Sequence, residues 1–211
     1  MICMPTGIKA FSRLFARGCA TVLPGLFATL VSNPTLASEC KTVGENLVLD
    51  TAFASFDAPY SQRKWHSSEH TTKRSFTYTV EDGVLTIEQV ATEPWAVVSQ
   101  TVDARGLAGK SVKYSAQIKL DLTPAPRSAN LKNGGGLLLW AKKGSRLLLD
   151  STMEHEPYMG TSDWVDVEVV KKIPKGVTFV ELGFIHQAGG KIAVRKPSLF
   201  LLDASAGGCV E

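Results

Sequence analysis

The stretch "SVKYSAQIKLDL", residues 111–122, decides the fold. Val112, Tyr114, Ala116, Ile118 and Leu120 take every second position, with Lys113, Gln117, Lys119 and Asp121 between them. A period of two belongs to an extended chain whose side chains alternate between faces, so this is a strand with one covered face and one wet face. Working outward, "FTYTV" and "VLTIEQV" flank Glu81-Asp82-Gly83 and predict a hairpin, because Asp-Gly tolerates the positive φ of a tight turn. Further strands are expected in "NLVLD" from 46, "AVVSQTV" from 96, "GLLLWAKK" from 136, "SRLLLD" from 145, "WVDVEVV" from 164, "TFVELGFI" from 178, "KIAVRK" from 191 and "SLFLLD" from 198. A second tight hairpin is placed at Lys143-Gly144. After residue 37 no helical period is sustained, so the expectation is all-β: a single antiparallel two-sheet sandwich of jelly-roll type.

Residues 1–17 carry Lys9, Arg13 and Arg17 and no acid, and the apolar "CATVLPGLFATLV" follows before "SNPTLASEC". This pattern, with Thr35 and Ala37 as the small residues of a cleavage site, predicts a secretory signal over residues 1–37 and one domain over 38–211. Pro24 and Gly25 interrupt an apolar stretch already short of the roughly 20 residues a membrane span needs. A secreted or periplasmic protein without membrane insertion after cleavage is expected. Taking the three basic residues of the leader from the 23 in the chain leaves 20 against 20 acidic ones, so the remaining domain is formally neutral. With no basic block among aromatics, the chain shows no nucleic-acid footprint. Cys3 and Cys19 leave with the leader, and the remaining pair, Cys40 and Cys209, reads as one disulfide joining the two ends of an exported domain. Such a bridge requires the first and last strands to lie side by side.

The segments "ENLVLDTAFASFD", Trp65, "PWAVVSQTVDARGLAGKSVKYSAQIKLD", "GLLLWAKK", "GTSDWVDVEVVKKIPKGVTFVELGF" and "PSLFLLD" follow in an order that resembles the carbohydrate-binding-module jelly rolls of families four, nine and twenty-two, within the galactose-binding-like group. The resemblance implies a glycan or polysaccharide as partner and a binding surface on the concave face of one sheet. It places Trp95 where such modules often carry a sugar-stacking aromatic. Several of these modules hold a structural calcium through an early Phe-Glu pair, which reads Phe53-Ala54 here, so no cofactor is expected.

Of the motifs that could carry chemistry, "GTSDW" (160–164) reads as the start of a strand: Gly160 takes positive φ and Thr161 and Asp163 cap local backbone donors. His66 and His70 have the spacing of a zinc pair on a helix, but Ser67 replaces the general base and the Ser/Thr-rich surroundings predict a solvated loop. His155 is isolated, and His186 shares the face of Val180, Leu182 and Phe184, as a core-edge histidine would. The glycine runs "NGGGLLL" and "AGGKI" lack phosphate-loop spacing and read as turns. Asp166 and Glu168 share one strand face and are the one pair on which glycoside hydrolysis or a lyase reaction could rest; no nucleophile elbow accompanies them. The expected function is non-catalytic glycan binding. Trp95 and Trp140 would serve as stacking platforms, with Gln117, Glu181 and Gln187 as hydrogen-bond partners on a wet face. An envelope structural or protein-adaptor domain is the alternative.

Overall fold

Eleven strands run through this computed structural model, which describes residues 41–125, 132–153 and 157–203, all within the unit Ala37–Glu211. They are β1 (Thr42–Val43), β2 (His66–Glu69), β3 (Phe76–Glu81), β4 (Val84–Gln89), β5 (Ala96–Asp103), β6 (Ser111–Thr123), β7 (Gly134–Lys143), β8 (Arg146–Asp150), β9 (Gly160–Lys172), β10 (Phe179–Gln187) and β11 (Gly189–Leu202). Among the described residues the helical structure is a single 3-10 turn, Tyr60–Gln62, and no helix is long and apolar enough to cross a membrane. One sheet has the order β3-β4-β11-β6-β9, with β1 added to β11. The other has the order β2-β5-β10-β7-β8. Every pairing is antiparallel. The sandwich expected from period-two alternation is the one observed.

The alternation of β6 is obeyed: Val112, Tyr114, Ala116, Ile118 and Leu120 all lie in the core between the sheets. At its centre Trp65 stacks on Phe184 at 5.7 Å, and Phe53 and Tyr114 close around the same ring at 6.3 and 6.2 Å. Aromatic rings at such spacings add to the area they bury. The Asp82-Gly83 hairpin forms as expected, with φ of 50° and 74° at its two turn residues. The second hairpin turns one residue later than expected, at Gly144-Ser145, since Lys143 pairs with Arg146.

Four local expectations are corrected. "NLVLD" is not a strand: Leu49 is at a bend and Asp50 has φ of 59°, and side chains take over from a ladder begun by the Leu47 amide on the Leu199 carbonyl at 2.9 Å. Asn46 Oδ1 accepts from the amides of Val48 and Leu199. Gln100 accepts from the Leu49 amide and donates to the Leu49 carbonyl. "WHSSEHTT" contains β2, an edge strand whose polar residues meet solvent where a sequence pattern reads as loop. "KIAVRK" and "SLFLLD" are one strand, β11, interrupted by a bulge between Arg195 and Ser198. There Lys196 has φ of 53° and Pro197 has no N–H to give. The glycine runs are strand residues, not turns. At Gly190 a Cβ would stand 2.1 Å from the Asp121 carbonyl oxygen, so the residue permits close backbone approach where the chain passes into β11.

Thr42 pairs with Leu202 and Val43 with Leu201, and the Asp203 amide donates to the Lys41 carbonyl at 2.9 Å. The two ends of the described chain are therefore neighbours. Cys40 and Cys209 lie outside the described residues.

Candidate functional site

The register of the five-stranded sheet sets out its outer face row by row. Glu181 is opposite Thr101 on one side and Trp140 on the other. Gly183 is opposite Ser99 and Leu138, and Ile185 is opposite Val97 and Gly136. His66 and Ser68 of β2 extend the rows of Ser99 and Val97. A side chain on this face should meet water, yet Val97, Leu138, Ile185 and Met153 form a buried apolar cluster separate from the core, with Trp95 and Trp140 packed against it. Trp140 is opposite Glu181, and Trp95, one residue before β5, stands level with Gln187, six positions further along β10. At about 3.4 Å per residue the two rings stand on the order of 20 Å apart along the strands. They bracket the cluster.

Polar groups fix the Trp140 end. Its indole N–H donates to Asp150 Oδ1 at 2.9 Å and Thr152 Oγ at 2.7 Å. Lys142 Nζ lies 4.3 Å from the Trp140 ring centroid and 2.6 Å from Glu181 Oε2. The other Glu181 oxygen accepts from Ser99 Oγ at 2.8 Å. Ring, ammonium, carboxylate and hydroxyl thus form one pre-set unit, each holding the next in a single geometry. At the far end the His70 ring meets Trp95 edge-on at 6.0 Å and is itself tied to Glu93 at 3.0 Å. Gln187 lies on this outer face but is only 8% exposed.

The inner side of β10 supports the platform. Tyr114 reaches across the sandwich to donate its hydroxyl to the Gly183 carbonyl at 3.0 Å, and burial pushes its phenol well above the ordinary value. Gly183 itself has no room for a side chain, since a Cβ would lie 2.2 Å from the Val98 carbonyl oxygen. His186 is fully buried, edge-on to Phe76 at 5.3 Å, and neither ring nitrogen has a well-formed hydrogen bond. Desolvation lowers its pKa to about 4, opposed in part by the backbone at Gly190 and at His186 itself.

The six-stranded sheet presents a different outer face. Gln117 lies there, on the opposite sheet from Trp95 and Trp140, which corrects the single face expected from sequence. It donates to Asp166 at 3.0 Å and accepts from Arg195 Nε at 2.9 Å, while the Arg195 guanidinium covers the Trp164 ring at 4.0 Å. Glu168 pairs with Lys113, and Asp163 with Lys119 at 3.2 Å. The Trp164 amide, then Lys119, hold the Asp163 carboxyl below the usual range. "GTSDW" is the first part of β9. Asp166 and Glu168 do share a face, but both are exposed and each is already paired. His66 begins β2 and His70 lies at the bend just past its end, on the order of 13 Å away at strand spacing, and among the described residues no group of three His, Cys, Asp or Glu could hold a metal. At the position considered for calcium, Phe53 is core. The nearby Asp50 carboxylate is occupied by the amides of Ala54 and Ser55 and by the Ser55 hydroxyl. His155 lies outside the described residues.

No protein-family model and no curated protein sequence matches the chain. Solved structures do. A family 4 carbohydrate-binding module superposes with a TM-score of 0.52 at 12% identity, over 73% of this chain and 99% of that one. The tandem family 22 modules of Paenibacillus barcinonensis Xyn10C give 0.51 at 12% identity, over 78% of this chain and 47% of theirs. The enzymatically active domain of tailspike protein 4 from bacteriophage CBA120 gives 0.53 at 14% identity, over 74% of this chain, which spans only 21% of that domain. The chain has the jelly-roll fold of carbohydrate-binding modules.

Within this jelly roll, sequence reasoning missed Lys142, Ser99, Asp150 and Thr152, the groups that fix Trp140 and Glu181. A signal for the platform was present. "GLLLWA" is apolar at consecutive positions, so both faces of β7 are covered, and a strand of that kind does not have the wet face assigned to it.

Proposed function

We propose that this chain is a secreted, non-catalytic glycan-binding module whose ligand lies on the outer face of the five-stranded sheet. The observation that carries this reading is the second apolar cluster on that face, bracketed by Trp95 and Trp140. The cluster is itself buried, with the two part-exposed indoles packed against it, so what it offers a ligand is an indole surface. Pyranose rings suit this one, because their C–H faces stack on indole while their hydroxyls meet carboxylate and amide groups. Trp140 is held by its one indole N–H, shared between Asp150 and Thr152, and Glu181, beside it, is fixed by Ser99 and Lys142. Little ordering is then required on binding. Gln187 lies toward the Trp95 end but is buried, so it is left out of the site. Gln117 belongs to the other face and has no part in this site. The likeness of fold to carbohydrate-binding modules supports the reading by analogy.

Export rests on the basic and apolar leader, 1–37, and on the cysteine pair at the ends of the domain. Mass measurement of the exported protein before and after reduction tests both, and an uncleaved chain with two free thiols contradicts them. A polysaccharide and glycan array on residues 38–211 tests binding. Retention of at least one neutral glycan, weakened in Trp140→Ala, is the expected result. A blank array together with a single protein partner in crosslinking pull-downs would point to the adaptor instead. Reducing-sugar and unsaturated-product assays should show no turnover; activity that disappears in Asp166→Asn and Glu168→Gln would establish the hydrolase or lyase reading.

A further inference from the structure

Tyr60 is 76% exposed, more than any other large hydrophobic side chain among the described residues. It is not on a loose loop. The 3-10 turn that carries it closes through the Gln62 amide to the Pro59 carbonyl at 2.8 Å, and Arg63 Nε donates to the Ala58 carbonyl at 2.6 Å. Its ring packs against the imidazole of His66 at a tilt of 55°, with centroids 4.7 Å apart. His66 points to the outer face, because it is paired in register with Ser99, whose hydroxyl binds Glu181 on that face. An aromatic ring held rigid and left uncovered has apolar area to bury against a ligand.

The row that begins at His66 continues through Ser99 and Gly183 to Leu138, next to the row of Glu181 and Trp140. Between His66 and Trp140 the intervening positions are therefore a hydroxyl, a carboxylate and a glycine with no side chain. Three strand spacings separate β2 from β7, about 14 Å. The path across the strands is shorter than the path along them to Trp95, and it is lined by groups that accept or donate to hydroxyls. His66 adds one more. Its Nδ1 is buried without a hydrogen-bond partner. A ligand hydroxyl at Nε2 would give the ring a partner and leave the Tyr60 contact intact.

We propose that the glycan track crosses the strands from Trp140 to a further subsite formed by Tyr60 packed against His66 at the β2 edge. The proposal rests on the glycan-face reading and adds to it a direction and a third aromatic platform. The charges along the track cancel, since Lys142 is paired with Glu181, so uncharged oligosaccharides are the appropriate probes.

The test is calorimetric titration of residues 38–211 with cello-, xylo-, manno- and galacto-oligosaccharides, from disaccharide to hexasaccharide, for the parent, Trp140→Ala, Tyr60→Ala and His66→Ala. Circular dichroism of each variant secures the fold. Tyr60→Ala should weaken the longer ligands roughly five- to tenfold, the scale of one aromatic contact. It should leave the disaccharide unchanged, and His66→Ala should follow the same length dependence. If Trp140→Ala loses binding while both β2-edge variants bind every length like the parent, the transverse track is wrong and the glycan face stands. If the parent binds no member of the series, both are wrong.

Discussion

On the outer face of the six-stranded sheet, side chains find partners across the strands: Lys113 with Glu168, Gln117 with Asp166 and Arg195, Ser115 with Ser198. On the outer face of the five-stranded sheet, central positions are filled by Val97, Leu138 and Ile185, and the tryptophans stand at either end. Both faces belong to strands of one sandwich with a shared core, so the core does not account for the difference. The polar ladder is what a solvated sheet face needs, and its exposed pairs contribute little each, about 0–1 kcal/mol. The apolar cluster is already buried with Trp95 and Trp140 packed against it, and the part-exposed indoles are the area a partner could cover. The aromatic-rimmed patch that breaks the alternation is the feature on which the proposed ligand face rests.

The contrast can be broken most severely at Gly183, where the five-stranded sheet depends on close approach of β10 to β5. Gly183→Ala would force a Cβ to within 2.2 Å of the Val98 carbonyl oxygen, and the expected loss is at least ~3 kcal/mol in urea unfolding. Ser115→Ala, on the ladder, removes one hydrogen bond and should cost about 1 kcal/mol. Equal midpoints for the two variants would contradict the account.

His186, on the inner side of the same strand, gives a pH-dependent effect of similar size. Its folded pKa is depressed to about 4, below the ordinary 6.5, so the unfolded chain binds the extra proton between these values. Stability is fully present above about pH 6.5 and falls as pH drops toward 4, by roughly 3 kcal/mol in all. Denaturant midpoints measured from pH 7.5 to 4.5 should show this slope in the parent, and it should be absent in His186→Phe. The depressed Asp163 carboxyl acts at lower pH, below the usual carboxylate range, and its contribution is separable. A slope that persists in the variant would assign the pH dependence to other groups.

Smaller effects sharpen the comparison between ion pairs. Lys142 and Glu181 are 22% and 19% exposed, against 32% and 55% for Lys113 and Glu168. Lys142→Ala should cost about 1–2 kcal/mol, because it leaves a half-buried carboxylate without its cation, and Lys113→Ala less than about 0.5. Arg195→Ala removes one cation–π contact with Trp164, worth about 0.5–1 kcal/mol, and should leave glycan retention unchanged. Paired urea titrations of the variants order these values, and a larger loss for Lys113→Ala would reverse the assignment of faces.

The fold was legible because alternation is local. "SVKYSAQIKLDL" states its own faces, and Asp82-Gly83 states its own turn. The segments misread are those whose structure is set from a distance. Asn46 and Gln100 hold "NLVLD" by side-chain bonds to residues far along the chain. β2 is a strand because β5 lies beside it. The site was legible in part. Alternation placed Trp140, Glu181 and Gln187 outward, but it cannot say which of two sheets a strand joins, so Gln117 was grouped with residues on the other side of the sandwich. The partners of Trp140 come from β8 and the residues after it, and strand pairing alone brings them to the ring.

The central claim is that the tryptophans of one outer face, and not that of the other, meet the ligand. Affinity electrophoresis in gels containing the polysaccharide that best retards the parent, run with Trp140→Ala, Trp95→Ala and Trp164→Ala, tests it most directly. The account predicts at least a tenfold loss of retardation constant for Trp140→Ala, a smaller loss for Trp95→Ala and parental behaviour for Trp164→Ala. Loss confined to Trp164→Ala, or folded variants that all migrate like the parent, would contradict it.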